Sequence, residues 1–383
     1  MDGPNPTTSP IDRPRFAWGL LLRGVGAASD LRCLLLAALG LIAMKAGWAG
    51  IAAIFGDAPW RSFADMSTQP DLPWPGRNQP IGNVGLPVVA PFLSVLAPII
   101  AVFSPAGSAI DRLSAAAGAF WALAVWSLFG GAITRVAAVR VATGGRIGLL
   151  TALKFSLARF GATIAAPLAP IAVAWVIGLA GAAVGLLNRI PGVAGTSTAT
   201  VLAFVPLIVG LLDAVILIGL AAAWPLMIAT VVVEGEDFFD AVSRSYSYVN
   251  QRMLRYAACV LIVAAMGLVG LAVFGLFVTV ALSLADWSLG LGAPSEVGFR
   301  FLRPGMVETS GLPVVARFWN AAIEMVVSGW AYSYLWSAAA LIYLVLRHDV
   351  DGNEIHDIFD PAREAEAFVP DGEEPGSATT PAL

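Results

Sequence analysis

The chain has 383 residues, of which 58% are hydrophobic and 13% charged, against about half and about a quarter in soluble domains. The formal net charge of −4 comes largely from an acidic C-terminal stretch, so the basic face that nucleic-acid binding needs is missing and that class is set aside. Apolar runs longer than the roughly 20 residues that cross a bilayer recur along the chain, which makes lipid the main solvent.

Residues 1–14 carry Pro4, Ser9, Pro10 and Pro14 among polar residues, too little apolar surface to fold alone, and read as a disordered tail. Residues 15–29 set Phe16, Leu20 and Leu21 against Arg15 and Arg23, the pattern of a short interfacial helix, so 1–30 forms a first unit ahead of the membrane domain. The first long run is too long for the core of a cleaved signal peptide and reads as a retained signal-anchor.

Six spans are expected: Leu31 to Phe55, Ala115 to Val139, Ala162 to Leu187, Thr200 to Val233, Tyr256 to Leu284, and Val314 to Leu346. The fold class is therefore all-α, a polytopic transmembrane helical bundle over 31–347. The run from Leu86 to Phe103 is apolar too, but Pro87, Pro91 and Pro98 interrupt it. Each internal proline removes a helix hydrogen bond that lipid cannot replace, so the run is assigned as an interfacial or re-entrant segment, shallow in the outer interface.

Charge sets the orientation. The stretch between spans two and three holds Arg135, Arg140, Arg146, Lys154 and Arg159 with no acidic residue, which places it in the cytoplasm. Both termini, the Arg244–Arg255 loop and the acidic tail 348–383 then fall on the same side. The loops at 56–110, 188–199 and 285–313 lie outside, with Asp57, Asp65, Asp71, Glu296 and Glu308. The expected address is a bacterial inner membrane.

Residues 141–160 and 232–252 each follow an outside-to-inside span and precede an inside-to-outside one. Aligning Ala152 with Ala241 also aligns Ser156 with Ser245. Both segments read as interfacial elbow helices, with Ile147, Leu150, Leu153 and Leu157 on one face of the first and Phe238, Val242, Ser245 and Val249 on one face of the second. The unit of span, elbow and span hints at a duplication, which shared hairpin geometry would also produce.

Three stretches, FGGAITRVAAVRVA (129–142), VVVEGEDFFDAVSRSYSYVNQR (231–252) and LRHDVDGNEIHDIF (346–359), resemble an uncharacterised family of bacterial multi-pass inner-membrane proteins. The resemblance runs from span two to just past span six. It implies a topology and an address, and carries no activity.

Charges inside apolar runs are the candidate functional residues. Lys45 lies in span one, Asp213 in span four, and Glu324 in span six with Asn320, Ser328 and Tyr332 spaced by four along one face. All three charges sit roughly 15–20 Å below the outer ends of their spans. Such charges cost a few kcal/mol on insertion scales and pair where they can, so Lys45, Asp213, Asn320 and Glu324 form a candidate polar cluster, either a solute path or a structural pair. In the second elbow, Arg244, Tyr246, Tyr248 and Arg252 suit contact with lipid headgroups or a cytoplasmic protein. The acids Glu234, Glu236, Asp237 and Asp240 at its start match the positive end of the helix.

Cofactor and metal chemistry is not expected. Asp349, Asp351, Asn353, Asp357 and Asp360 alternate oxygen donors as a calcium loop does, but Gly352 falls too early and Glu354 takes the turn position. Cys33 and Cys259 start apolar runs and read as packing residues. His348 and His356 read as exposed tail residues, and Gly181 and Gly185 as a close helix–helix approach. No phosphate-binding glycine motif and no Ser, His and acid set occurs. The chain is thus expected to be non-enzymatic, a small-solute transporter or a scaffold that docks a cytoplasmic protein or a second copy. A lipid-acting enzyme built on Asp213 and Glu324 is a further alternative.

Overall fold

A computed structural model describes residues 18–57, 60, 86–104, 107–191, 193–291 and 314–359. The tail reading of 1–14 and of the residues beyond 359, the loop acids Asp65, Asp71, Glu296 and Glu308, and the side chains of Asn320 and Glu324 lie outside the described residues. Every described element is a helix, and six helices are long and apolar enough to cross a membrane. The spans are α3 (Leu31–Phe55), α5 (Ala109–Thr143), α7 (Phe160–Leu187), α9 (Phe204–Glu234), α11 (Met253–Gly290) and α12 (Val314–Asp351). Around them lie α1 (Trp18–Leu21), α2 (Gly24–Ala28), α4 (Leu86–Val102), α6 (Leu149–Ala158), α8 (Val193–Val201) and α10 (Phe238–Gln251).

Local chemistry fixes the ends. Asp30 caps α3 by accepting from the Arg32 amide, and Ser108 and Asp111 form a reciprocal capping box on α5. Asp237 caps α10 by accepting from the Phe239 and Asp240 amides. The helices α5, α9 and α12 run in the same direction and are each followed by a left-handed glycine, Gly144, Gly235 and Gly352, with φ of 68°, 72° and 72°. That common end also holds α6, α10 and the starts of α3, α7 and α11, and is called here the elbow end.

The core is built on α5 and α12, with α3 and the second half of α9 packed against them. Aromatic rings fill it. Trp126 stacks on Tyr332 at 4.6 Å between centroids, and Trp224 meets Trp336 edge-on at 5.4 Å. Small residues seat these rings: a Cβ on Gly130 would lie 2.3 Å from Trp336, and one on Gly219 would lie 2.4 Å from Tyr246. Of the two glycines expected to bring helices together, Gly181 meets Pro206 and Val209 of α9, whereas Gly185 faces open space. The far halves of α7, α9 and α11 expose large apolar side chains such as Leu179, Leu207 and Leu276. In a chain that spans a bilayer, lipid covers such surface.

Three elements carry detail beyond their sequence-based expectation. The run at 86–103, expected to be interfacial or re-entrant, is a 17-residue helix packed against α5 and α12, with Ser94, Val95, Ala97 and Ile99 buried, and it is not among the helices long enough to cross a membrane. The helix continues through Pro91 and Pro98 because polar side chains and neighbouring helices accommodate the freed backbone, as in other membrane helices. The Ser94 hydroxyl donates to the Pro91 carbonyl at 2.8 Å and meets the Tyr332 hydroxyl at 2.7 Å, which ties this helix to α12. The N-terminal helix is broken at Leu22–Arg23 into α1 and α2, and α2 is pinned to α12 by the Ser333 hydroxyl on the Ala28 carbonyl. The first elbow turns its small face inward, so that Leu150 and Leu157 point outward while Ala152 and Ser156 are buried.

Candidate polar cluster at the elbow end

The three stretches 129–142, 231–252 and 346–359, far apart in sequence, meet at the elbow end. Glu234, the last residue of α9, is the hub. Its carboxylate pairs with Arg244, accepts from the Tyr343 hydroxyl at 2.5 Å, and lies 3.4 Å from the Arg347 guanidinium. Arg347 is only 2% exposed and also donates to the Glu354 and Asp357 carbonyls at 2.8 and 2.6 Å. Arg135, 6% exposed, donates to the Val232 carbonyl at 3.0 Å and to the Phe359 carbonyl at 2.5 Å. Arg159 donates to the Gly235 carbonyl and lies over the Phe359 ring.

These contacts fasten the segment after α12. The Phe359 amide donates to the Val233 carbonyl at 2.9 Å, and a Cβ on Gly235 would lie 2.8 Å from the Phe359 ring. Phe155 of α6 packs on the same ring and carries the Arg135 guanidinium 4.4 Å from its own centroid. Guanidinium groups suit this place because one planar fork serves several carbonyls and still stacks on aromatic faces.

The second elbow is drawn into the same network. Arg244 bridges Glu234 and Glu236. Burial lowers its pKa, but the two carboxylates outweigh that and hold it above the usual arginine value. Burial raises Glu236, with Arg244 opposing. The Tyr248 hydroxyl donates to Asp351, and its pKa is raised first by burial and then by that carboxylate. Tyr246 donates to the Ile216 carbonyl at 2.8 Å, and burial pushes its phenol up to about 12. Of the four elbow residues expected to meet headgroups or a partner, Arg244, Tyr246 and Tyr248 therefore face the bundle. A half-buried amphipathic helix must place its polar donors on acceptors, and the acceptors here belong to α9 and α12. Arg252 is exposed and makes no hydrogen bond or ion pair with a described side chain.

Of the intramembrane cluster, the side chains of Lys45 and Asp213 are described. Lys45 is exposed on α3, while Met44 and Trp48 are buried, and it forms no ion pair with Asp213. Asp213 faces Gly178 of α7 and lines an open cleft of about 250 Å³ with Ser104, Arg112 and Trp175. Its Oδ1 is buried without a hydrogen-bond partner among the described residues. The tail carboxylates are separately engaged, Asp349 on Arg255 and Asp351 on Tyr248. His348 Nδ1 lies 2.9 Å from the Asn353 carbonyl, inside the fastened turn.

Sequence reasoning passed over Glu234, Arg135 and Arg347 as cluster members. The signal was present: Arg135 and Arg347 interrupt the ends of apolar runs, the criterion applied to Lys45 and Asp213. Arg135 counts there as a loop cation and Glu234 as an acid at a helix start, while α5 and α12 run about a turn beyond the spans that hydropathy draws. Comparison with protein-family models, with curated proteins and with solved structures finds no match to the chain.

Proposed function

We propose that this integral membrane protein is a non-catalytic scaffold of a bacterial inner membrane, with the elbow end and both termini in the cytoplasm. It belongs, on this reading, to the uncharacterised multi-pass family that its three stretches resemble. Orientation is supported by the basic residues gathered at the elbow end, including Arg135, Arg140, Arg146, Lys154, Arg159, Arg252 and Arg347. The observation that carries the scaffold reading is the cluster around Glu234, which ties two elbow helices and the segment after α12 into one rigid face. Behind it, among the described residues, packed aromatic rings of Trp126, Trp224, Tyr332 and Trp336 occupy the interior. The surface on offer to a cytoplasmic protein or a second copy includes Phe239, 70% exposed, and Asn250 on the outer side of α10.

A second reading, movement of a small solute, rests on Asp213, whose carboxylate faces a cleft that also holds Arg112. Reconstitution separates the two. In sealed vesicles the scaffold reading expects permeability to protons and small ions equal to that of protein-free vesicles, and a discrete adduct from a photo-crosslinker at Phe239 or Asn250 in native membranes. Permeability that depends on the protein and vanishes in Asp213→Asn, with no adduct at either position, would transfer the assignment to transport.

A further inference from the structure

The spans α9 and α11 are joined through the second elbow, yet they do not close on each other. Between them lies a cavity of about 250 Å³, backed by α4 and α12. Its walls are apolar: Val88 and Phe92 from α4, Ala221 and Pro225 from α9, Val260 and Ala264 from α11, with Ala338 and Ala339 of α12 behind. Two tyrosines add rings but no free donor, because the Tyr256 hydroxyl is engaged by the Ala222 carbonyl at 2.7 Å and the Tyr334 hydroxyl by the Val263 carbonyl at 2.6 Å. Val89 and Val260 are exposed at its mouth, so the cavity opens sideways, toward the surface that lipid covers.

Its size falls below the roughly 300–1,000 Å³ of sites that enclose a whole small molecule, so it takes part of a ligand and leaves the rest outside. One turn before Tyr256, where the Tyr256 amide donates to the Arg252 carbonyl at 2.8 Å, stands the exposed guanidinium of Arg252. Tyr256, Val260 and Ala264 line the slot at four-residue spacing on α11, and Arg252 stands between α10 and α11 as an exposed cation at the elbow end. A guanidinium at that level matches a phosphate, and the slot below matches a hydrocarbon chain.

We propose that this cavity is a lateral lipid site, which seats one acyl chain of an anionic phospholipid from the leaflet at the elbow end and holds its phosphate on Arg252. The acyl chain fills space that would otherwise separate α9 from α11, and the headgroup fixes its depth. Nothing in the site depends on whether the protein scaffolds or transports.

Native mass spectrometry of the purified full-length protein, delipidated and then offered phosphatidylglycerol or phosphatidylcholine, tests this. The wild type is expected to retain one phosphatidylglycerol in preference to phosphatidylcholine. Arg252→Gln should lose that preference by on the order of tenfold, the effect of one headgroup contact. Ala264→Phe and Ala221→Phe fill the slot from opposite walls and should lose both lipids. Val260→Cys keeps the test open if those variants fail to fold: Cys33 and Cys259 are buried, so a maleimide added to the folded protein blocks the mouth alone. Val269→Trp, exposed elsewhere on α11, serves as control and should bind as the wild type does. Retention unchanged by the blocked mouth overturns the site, and an Arg252→Gln protein that still prefers phosphatidylglycerol overturns its anionic ligand.

Discussion

Arg347 and Glu234 form a pair with side chains 3% and 9% exposed, at the end of two spans. Withdrawing two charges from water is unfavourable, and their attraction repays it only when the remaining donors and acceptors are also satisfied. Most of them are: Arg347 reaches two carbonyls and Glu234 accepts from Tyr343 and Arg244, and only the Arg347 Nε is buried without a partner among the described residues. Removing one partner strands the other, so Glu234→Gln and Arg347→Met should each cost roughly 3–5 kcal/mol in thermal or denaturant unfolding in detergent, and the double variant less than the sum. Strict additivity would show that the two do not act as a pair.

Tyr246 tests burial at the same scale by titration. Its folded pKa of about 12 lies above the ordinary value near 10, so its neutral form is the one the fold prefers. The stability this supplies is complete below pH 10 and lost as pH rises through about 12. Tyr246→Phe has no phenol to ionise at this position. The melting temperature of the wild type should therefore fall more steeply than that of the variant between pH 10 and 12, and parallel curves would count against a buried phenol.

Among the elements, the two elbow helices are the informative case. Their existence is legible in the sequence, and so is the alignment of Ala152 with Ala241 and Ser156 with Ser245. All four residues are 0% exposed, and each serine meets the preceding span, Ser156 on the Ser127 and Leu128 carbonyls and Ser245 on Thr230. Which face turns inward was not legible in the same way, because the shared face of Ile147, Leu150, Leu153 and Leu157 is split: Leu150 and Leu157 are exposed, while Ile147 and Leu153 pack half-buried against the core. Overpacking should therefore show in both elbows: Ala152→Leu and Ala241→Leu are each expected to destabilise by about 1–3 kcal/mol, while Leu150→Ala is close to neutral. A large loss at Leu150 with none at Ala152 would reverse the assignment of faces.

The helix at 86–102 teaches the companion lesson. Pro91 and Pro98 have no amide to donate, yet the helix runs through both. It packs against α5 and α12, and the bond between the Ser94 and Tyr332 hydroxyls ties it to α12. Gly235 shows the opposite kind of legibility, since a glycine two residues after Val233, the last apolar residue of its span, is a readable stop. A valine there would meet both a φ of 72° and the Phe359 ring. Gly235→Val should therefore release the segment after α12 as well as lower stability, with faster proteolysis near 353–359 as the readout.

At the scale of the whole molecule, six spans and their alternation follow from hydropathy and charge, because both are properties of single segments. The cluster at the elbow end is a property of three segments spread over residues 129–359, and nothing in the spacing of Arg135, Glu234 and Arg347 announces that they meet. The intramembrane charges were the more conspicuous sequence feature, yet Lys45 and Asp213 lie on helices that face different surroundings. The account therefore rests on the elbow-end cluster holding the segment after α12 against the bundle.

Hydrogen exchange of the full chain in lipid nanodiscs measures that directly, since the Phe359 amide is bonded to the Val233 carbonyl and Arg135 and Arg347 hold the surrounding carbonyls. The account predicts strong protection over 353–359 in the wild type, lost together in Arg135→Gln and in Arg347→Met. Wild-type exchange over 353–359 at the rate of an unstructured chain would contradict it.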